Sequence, residues 1–319
     1  MPPATAPTAR DREGSFRHEA LMYSGQDEFL RGTLRFIREG LAAGEPILVV
    51  VSPAKIELLR AELNGEGDQV HFADMGAVGA NPARIIPAWR DFVDHSGPGR
   101  PVRGIGEPIS PSRSHSELVE CHRHESLLNL AFADTPSFWL MCPYDTGALE
   151  RPVVEEARRN HPLVRIDGDA RESETYGGLE PVAAPFAEPL AEPATPAYEL
   201  PFEGETLRSL RAFLHRYGAS AGISAPRTDD LVLAVSEVAA NSVRHGGGGG
   251  LLRVWQDADK VICEVRDGGR IDEPLAGRER PLASEPSGRG LWLANHLCEL
   301  VQIRSFPTGN VVRLHMSRG

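Results

Sequence analysis

The chain of 319 residues is longer than one ordinary hydrophobic core, which predicts two domains, each able to bury a substantial core. Its net charge of -11 and isoelectric point near 5.5 exclude a general nucleic-acid binder, because attraction to phosphate needs clustered lysine and arginine. The cysteines Cys121, Cys142, Cys263 and Cys298 form no CxxC pair and imply reduced thiols in a cytoplasmic protein, and the longest apolar run, Ile47 to Val51, is too short to span a bilayer.

Residues 1–14, rich in proline, alanine and charge, are expected to be a disordered tail and lack the apolar segment of a signal peptide. From Asp27 to Ala43 the residues Phe29, Leu30, Leu34, Ile37 and Leu41 recur at helical spacing, and Gly44-Glu45-Pro46 ends the helix. The continuous apolar run from Pro46 to Val51 reads as a buried strand, followed by a helix over Lys55 to Leu63. Further strands are predicted at 70–73, 102–105 and 137–141, with helices near 82–93, 114–131 and 148–160. Strands alternating with helices of this length imply a parallel sheet covered on both faces, over residues 15–165. Residues 166–197 turn to proline, alanine and glutamate and read as an inter-domain linker.

The second domain, 198–319, begins with a predicted strand at Tyr198 to Phe202 and helices at 203–217 and 228–245. Strands at 251–256 and 260–266, a helix at 290–300 and a hairpin of 300–306 with 310–316 complete an antiparallel-rich α+β layer pair. On the helix at 228–245, Leu231, Val235, Val238, Ala239 and Ser242 share one side, while Glu237, Asn241 and Arg244 share the other. Such a polar face is usually only solvated surface; its company downstream changes the reading.

Asp267-Gly268-Gly269 follows a strand directly, so a carboxylate would project from a tight turn where a flat base can approach the backbone. Gly288-Arg289-Gly290-Leu291 opens an apolar helix, and backbone amides at a helix N-terminus attract phosphate oxygens. Each element is commonplace alone. In this order they form the parts of a nucleotide pocket without a Walker lysine. His245 and Arg244 offer phosphate contacts but are more simply solvent-exposed at a helix end, and Gly246 to Gly250 reads as a flexible helix-to-strand connection, with phosphate contact as the lesser alternative.

These motifs make residues 198–317 resemble the Bergerat-fold ATPase domain shared by gyrase, histidine kinases and MutL. Within it they are similar to the short anti-sigma-factor serine/threonine kinases of the RsbW and SpoIIAB type. By that resemblance Glu237 matches the catalytic glutamate and Asn241 the Mg²⁺-ligating asparagine. Asp267 matches the adenine-reading aspartate with Gly269 beside it, Gly288, Arg289, Gly290 and Leu291 match the phosphate cradle, and 272–287 match the ATP lid. Ile271 stands where the family has a second glycine. The implied cofactors are ATP and Mg²⁺. The implied partners are a sigma factor and a STAS-domain anti-anti-sigma factor, with a homodimer as a further implication.

A non-catalytic reading, an ATP-gated switch that sequesters a sigma factor, shares the pocket but has no need of Glu237 as proton acceptor. A two-component histidine kinase would need a phosphoacceptor histidine on a helical hairpin just upstream, where the proline-rich stretch lies instead. A gyrase-like machine would need a transducer domain after the ATP site.

In the first half no GxxxxGK(S/T) motif occurs, and Gly104-Ile105-Gly106-Glu107-Pro108 lacks the phosphate-loop lysine. The segment His18 to Tyr23, the helix ending at Leu41, the strand 47–51 and Tyr144-Asp145 resemble the MEDS sensory domain, which implies a degenerate RecA-like module. His18, Cys121, His122, His124 and Cys142 include soft metal-ligand types, and Cys121 would share a helical face with His124 or Glu125. A buried thiol with surface histidines is the favoured alternative, and none of these residues is assigned a role from sequence.

Overall fold

A run such as Ile47–Val51 offers no polar face to water, so it belongs in the interior of a sheet. In the computed structural model it lies between two other strands of a seven-stranded sheet. The structure describes residues 16–135, 137–166, 168–178, 188–257, 259–281 and 288–318. The expected tail at 1–14, residues 179–187 of the expected linker and 282–287 of the expected lid lie outside them. The chain divides into two compact units, Met1–Gly79 with Ala88–Pro181 and Ala80–Pro87 with Val182–Gly319.

The first sheet comprises β1 (Arg17–Tyr23), β2 (Ile47–Val51), β3 (His71–Asp74), β4 (Val102–Gly106), β5 (Phe138–Asp145), β6 (Leu163–Ile166) and β7 (Asp169–Glu172), in the order β3-β2-β4-β5-β1-β6-β7. All pairings are parallel except β6 with β7. Helices α1 (Gly25–Ala42), α2 (Pro53–Leu63), α3 (Met75–Val78), α4 (Ile85–Ser96), α5 (His115–Ala131) and α6 (Arg151–Asn160) form the crossovers. This is the expected RecA-like α/β layout.

Gly104 and Gly106 serve packing rather than phosphate. A Cβ on either would stand 2.8 or 2.9 Å from the indole of the buried Trp89. Two features depart from the sequence reading. The segment His18 to Tyr23, read only as a motif, is the strand β1 between β5 and β6. Four residues of the stretch read as linker, Asp169–Glu172, pair with β6, because a free edge accepts any extended segment that offers its amides.

The second sheet is antiparallel throughout, in the order β11-β12-β10-β9-β8, from β8 (Tyr198–Glu203), β9 (Gly249–Asp257), β10 (Lys260–Asp267), β11 (Leu300–Phe306) and β12 (Gly309–Ser317). Helices α7 (Leu207–Ser220), α8 (Ala225–His245) and α9 (Arg289–Leu297) complete this unit. The alternation read in β10 is real: Val261, Cys263 and Val265 join Leu214, Val235, Val238, Leu314 and Met316 in one core. On the other face the Glu264 carboxylate, fully buried, meets Arg313 Nε at 2.8 Å, Arg266 Nε at 2.7 Å and Arg253 Nη1 at 3.1 Å. Part of the expected linker covers this face, since Arg313 Nη2 donates to the Ala191 carbonyl at 2.8 Å and Glu192 accepts from both Arg253 and Arg266.

The glycine run is a correction. Gly249 and Gly250 are already in β9, paired with Glu203 and Phe202 of β8, and a Cβ at Gly249 would stand 2.3 Å from the Phe202 carbonyl oxygen. A run of glycines looks flexible in a sequence because flexibility and close backbone approach both call for a missing Cβ. Among the described residues no helix is long and apolar enough to cross a membrane.

Candidate functional site

Helix α8 begins after Ser224, in extended conformation, with Pro226 in its first turn, where a missing amide hydrogen costs nothing. It ends with Arg244 and His245 in the last turn, favourable against the negative end of the helix dipole. Leu231, Val235, Val238, Ala239 and Ser242 are buried, while Glu237 and Asn241 are half-buried and Arg244 is exposed. The two faces read from the sequence are therefore the two faces in space.

Helix α9 packs its first turn onto the polar face of α8. Gly290 is buried there, and a Cβ on it would lie 2.7 Å from Asn241 Nδ2 and 3.4 Å from Glu237 Cβ. Gly288, the N-cap, takes φ of 90° and supplies no side-chain cap. A helix start without a side-chain cap, with its amides at the positive end of the helix dipole, is the arrangement that favours an anion. Gly277, also at positive φ, brings the preceding loop onto this helix, where a Cβ would stand 2.8 Å from Leu291 Cβ, and the Gly277 carbonyl accepts from Asn295 Nδ2 at 2.8 Å.

Strand β10 delivers Asp267 at its end, and three donors hold the carboxylate. Ser242 Oγ donates to Oδ2 at 2.6 Å, while the Gly269 amide at 2.8 Å and Asn310 Nδ2 at 3.1 Å donate to Oδ1. An ionised carboxylate offers about four lone-pair sites, so capacity remains for one further donor. The turn is built by close approach: a Cβ at Gly246 would stand 2.6 Å from Asp267 Cγ, and the Gly268 amide donates to the Gly246 carbonyl at 3.0 Å. Gly309, at φ of 138°, lets β12 pass the Asp267 carbonyl, which a Cβ would approach to 2.0 Å.

These segments enclose one cavity of about 540 Å³, lined by Glu237, Asn241, Asp267, Gly288, Arg289, Gly290 and Leu291 among others. That volume falls within the roughly 300–1,000 Å³ usual for small-molecule sites. Gly269 is not in the lining; its amide orients Asp267 instead. Arg244 and His245, exposed as expected, also line it, and Arg244 Nη2 donates to Asn241 Oδ1 at 3.0 Å. Ile271, at the departed glycine position, turns its amide to Ser305 Oγ at 3.0 Å and Asn310 Oδ1 at 3.1 Å while its side chain packs on the core.

Sequence reasoning missed Ser242 and Asn310. A hydroxyl on an otherwise apolar helix face was a usable signal for Ser242. Asn310, read as the first residue of the last strand, gave none, because its role comes from lying opposite Asp267 across the β10–β12 pair. The residues fit a nucleotide with its cation: a bare-glycine contact against Asn241, an uncapped helix start and an anchored carboxylate surround one volume. Asn241 would offer its amide oxygen to a hard cation such as Mg²⁺, once Arg244 gives it up.

Residues 17–162 match the family model described as MEDS, the methanogen/methylotroph DcmR sensory domain, and residues 200–316 match that of the histidine kinase-like ATPase domain. Among solved structures, the chain is similar to the RsbU and RsbW domains of Rv1364c from Mycobacterium tuberculosis. That pair shares 23% identity at a TM-score of 0.30 over 39% of this chain and 32% of the other, so this chain spans about a third of that one. The histidine kinase AdeS of Acinetobacter baumannii is similar at 10% identity and a TM-score of 0.24, over 39% of this chain and 70% of that one. No curated protein matches.

Proposed function

For a chain that joins a MEDS domain to a histidine kinase-like ATPase domain, we propose the work of an ATP-binding regulatory kinase. It transfers phosphate to a serine or threonine hydroxyl on a STAS-type anti-anti-sigma partner and holds a sigma factor, under control of its N-terminal domain. The observation that carries this reading is the convergence of Glu237, Asn241, Asp267 and the Gly288–Gly290 turn, from segments far apart in sequence, on one cavity.

Each group has a task that follows from its chemistry. Asp267, oriented by Ser242, Gly269 and Asn310, accepts a hydrogen bond from an exocyclic amine of a base. The first-turn amides of α9 take phosphate oxygens, and the absence of a Cβ at Gly290 keeps Asn241 where its oxygen can reach a cation beside them. When bound, Mg²⁺ neutralises phosphate charge, the main requirement of phosphoryl transfer besides positioning. Glu237, one turn before Asn241 on the same face, accepts the proton of the attacking hydroxyl.

Calorimetry of Mg²⁺-ATP binding to the wild type, Asn241→Ala and Asp267→Asn, together with label transfer to candidate STAS proteins, tests this. Binding that fails in both variants and label on a partner serine or threonine are expected. Binding without transfer would replace the kinase by an ATP-gated protein-binding switch, and a wild type that binds no ATP would end both readings.

A further inference from the structure

The first unit holds a polar cluster at its centre. His18 of β1, Glu125 of α5, Cys142 of β5 and His161, directly after α6, are 0, 0, 1 and 0% exposed. One ligand-type atom from each lies within 4.8 Å of the others. His18 Nε2 is 3.2 Å from Glu125 Oε2 and 3.4 Å from Cys142 Sγ, and His161 Nε2 is 3.3 Å from the same carboxylate oxygen. Of these four, the sequence singled out His18 and Cys142, and Glu125 only as a helical-face neighbour of Cys121. Cys121 is buried elsewhere, against the Pro108 carbonyl, and His124, expected at the surface, is buried without joining the cluster.

Both imidazoles are oriented from behind. Asn129 donates through Nδ2 to the Asn160 carbonyl at 2.8 Å, so its Oδ1, 3.1 Å from His18 Nδ1, is an acceptor. His161 Nδ1 lies 2.7 Å from the Ala157 carbonyl oxygen. Each acceptor requires the proton on Nδ1, which turns the unprotonated Nε2 of each neutral ring into the cluster, where His18 Nε2 accepts from the Cys142 thiol at 3.4 Å. There they meet the Glu125 carboxylate: among the described residues neither of its oxygens, nor His161 Nε2, has a hydrogen-bond partner. Lone pairs facing a fully buried carboxylate at van der Waals distance are stabilised by a positive charge between them.

We propose that these four side chains form a closed zinc-type site, with a divalent transition-metal ion held by His18 Nε2, a Glu125 oxygen, Cys142 Sγ and His161 Nε2. Metal bonds of about 2.0–2.3 Å at tetrahedral angles set donor atoms roughly 3.3–3.6 Å apart, close to the 3.2, 3.3 and 3.4 Å contacts already present. A mixed nitrogen, oxygen and sulfur set suits zinc, and four protein ligands leave no open position, which assigns the ion a structural role. It clasps the neighbouring strands β1 and β5 to α5 and to the end of α6. Binding releases the Cys142 thiol proton to solvent, leaving the thiolate as ligand. The carbonyls of Asn129 and Ala157 behind the two rings are the supports that metal-bound histidines ordinarily have.

The test is made on the full chain, with zinc and cobalt as probes. Protein grown with zinc and passed over a moderate chelator should retain one zinc per chain. Cobalt replacement should give a thiolate-to-metal charge-transfer band and the intense visible bands of a tetrahedral ion. Cys142→Ala and His161→Ala should each weaken zinc by more than a hundredfold in competition with a chelating dye, and Asn129→Leu, which removes a support and no ligand, by about 10–100-fold. A folded wild type that holds no zinc and gives no charge-transfer band with added cobalt overturns the proposal, whether or not the variants fold. So does zinc that survives undiminished in both alanine variants, which places it on the surface.

Discussion

Gly290→Ala sets two effects against each other at one atom. In an ordinary helix alanine is favoured over glycine by about 0.5–1 kcal/mol. Here the added methyl would stand 2.7 Å from Asn241 Nδ2 and 3.4 Å from Glu237 Cβ. A contact of 2.7 Å is closer than real Cβ atoms come, so the cost lies in the upper half of the about 1–3 kcal/mol usual for overpacking and the net change is a destabilisation of about 1–2.5 kcal/mol, unless the Asn241 amide swings aside. If it does, the fold is spared and the site is not. Losing one charge-assisted contact to a bound nucleotide or its cation costs about 1.5–3 kcal/mol, or roughly 10- to 150-fold in affinity. Urea unfolding read by circular dichroism gives the first quantity and calorimetry with Mg²⁺-ATP the second. Either stability or affinity must fall. An alanine variant as stable as the wild type and binding ATP equally well would refute the packing of α9 against Asn241 and the role given to that residue.

Ser242→Ala removes the 2.6 Å donor to Asp267 and should lower ATP affinity by roughly 10-fold or more by calorimetry, whereas Ser242→Thr, which keeps the hydroxyl, should fall less. Glu264→Gln leaves Arg253, Arg266 and Arg313 facing a neutral amide and should cost about 3–5 kcal/mol in urea unfolding at neutral pH. Burial pushes the Glu264 carboxyl upward, but Arg313 and Arg266 outweigh it and hold the group below its ordinary 4.5. A depressed native value means this contribution is complete above the ordinary value and is lost as pH falls below it, so the gap between wild type and Glu264→Gln should close in acid. Burial raises the thiols of Cys121 and Cys298 to about 12, so neither should react with an alkylating reagent at pH 8 until the chain is unfolded, as read by mass spectrometry.

How much of this was legible beforehand depends on the range over which each feature is determined. The helix carrying Glu237 and Asn241, the continuous run Ile47–Val51 and the alternation of Val261, Cys263 and Val265 are periodic, and periodicity is a property of neighbours along the chain. The glycines at 288 and 290 and the turn after Asp267 were legible as backbone chemistry for the same reason. The support beneath them was not. Ser242 and Asn310 hold Asp267 across 25 and 43 residues of sequence, and Gly246 was indistinguishable from a flexible connection.

The sequence by itself determined the two α/β layers, the polar face of α8 and the order of the segments proposed to bind the nucleotide, since each follows from local pattern and residue type. Only the tertiary structure decided that these segments share one cavity and that Arg244 takes the Asn241 oxygen. It also brought His18, Glu125, Cys142 and His161 together across more than 140 residues. Such meetings depend on strand order and helix packing, which place distant residues side by side through long-range contacts that no local spacing encodes.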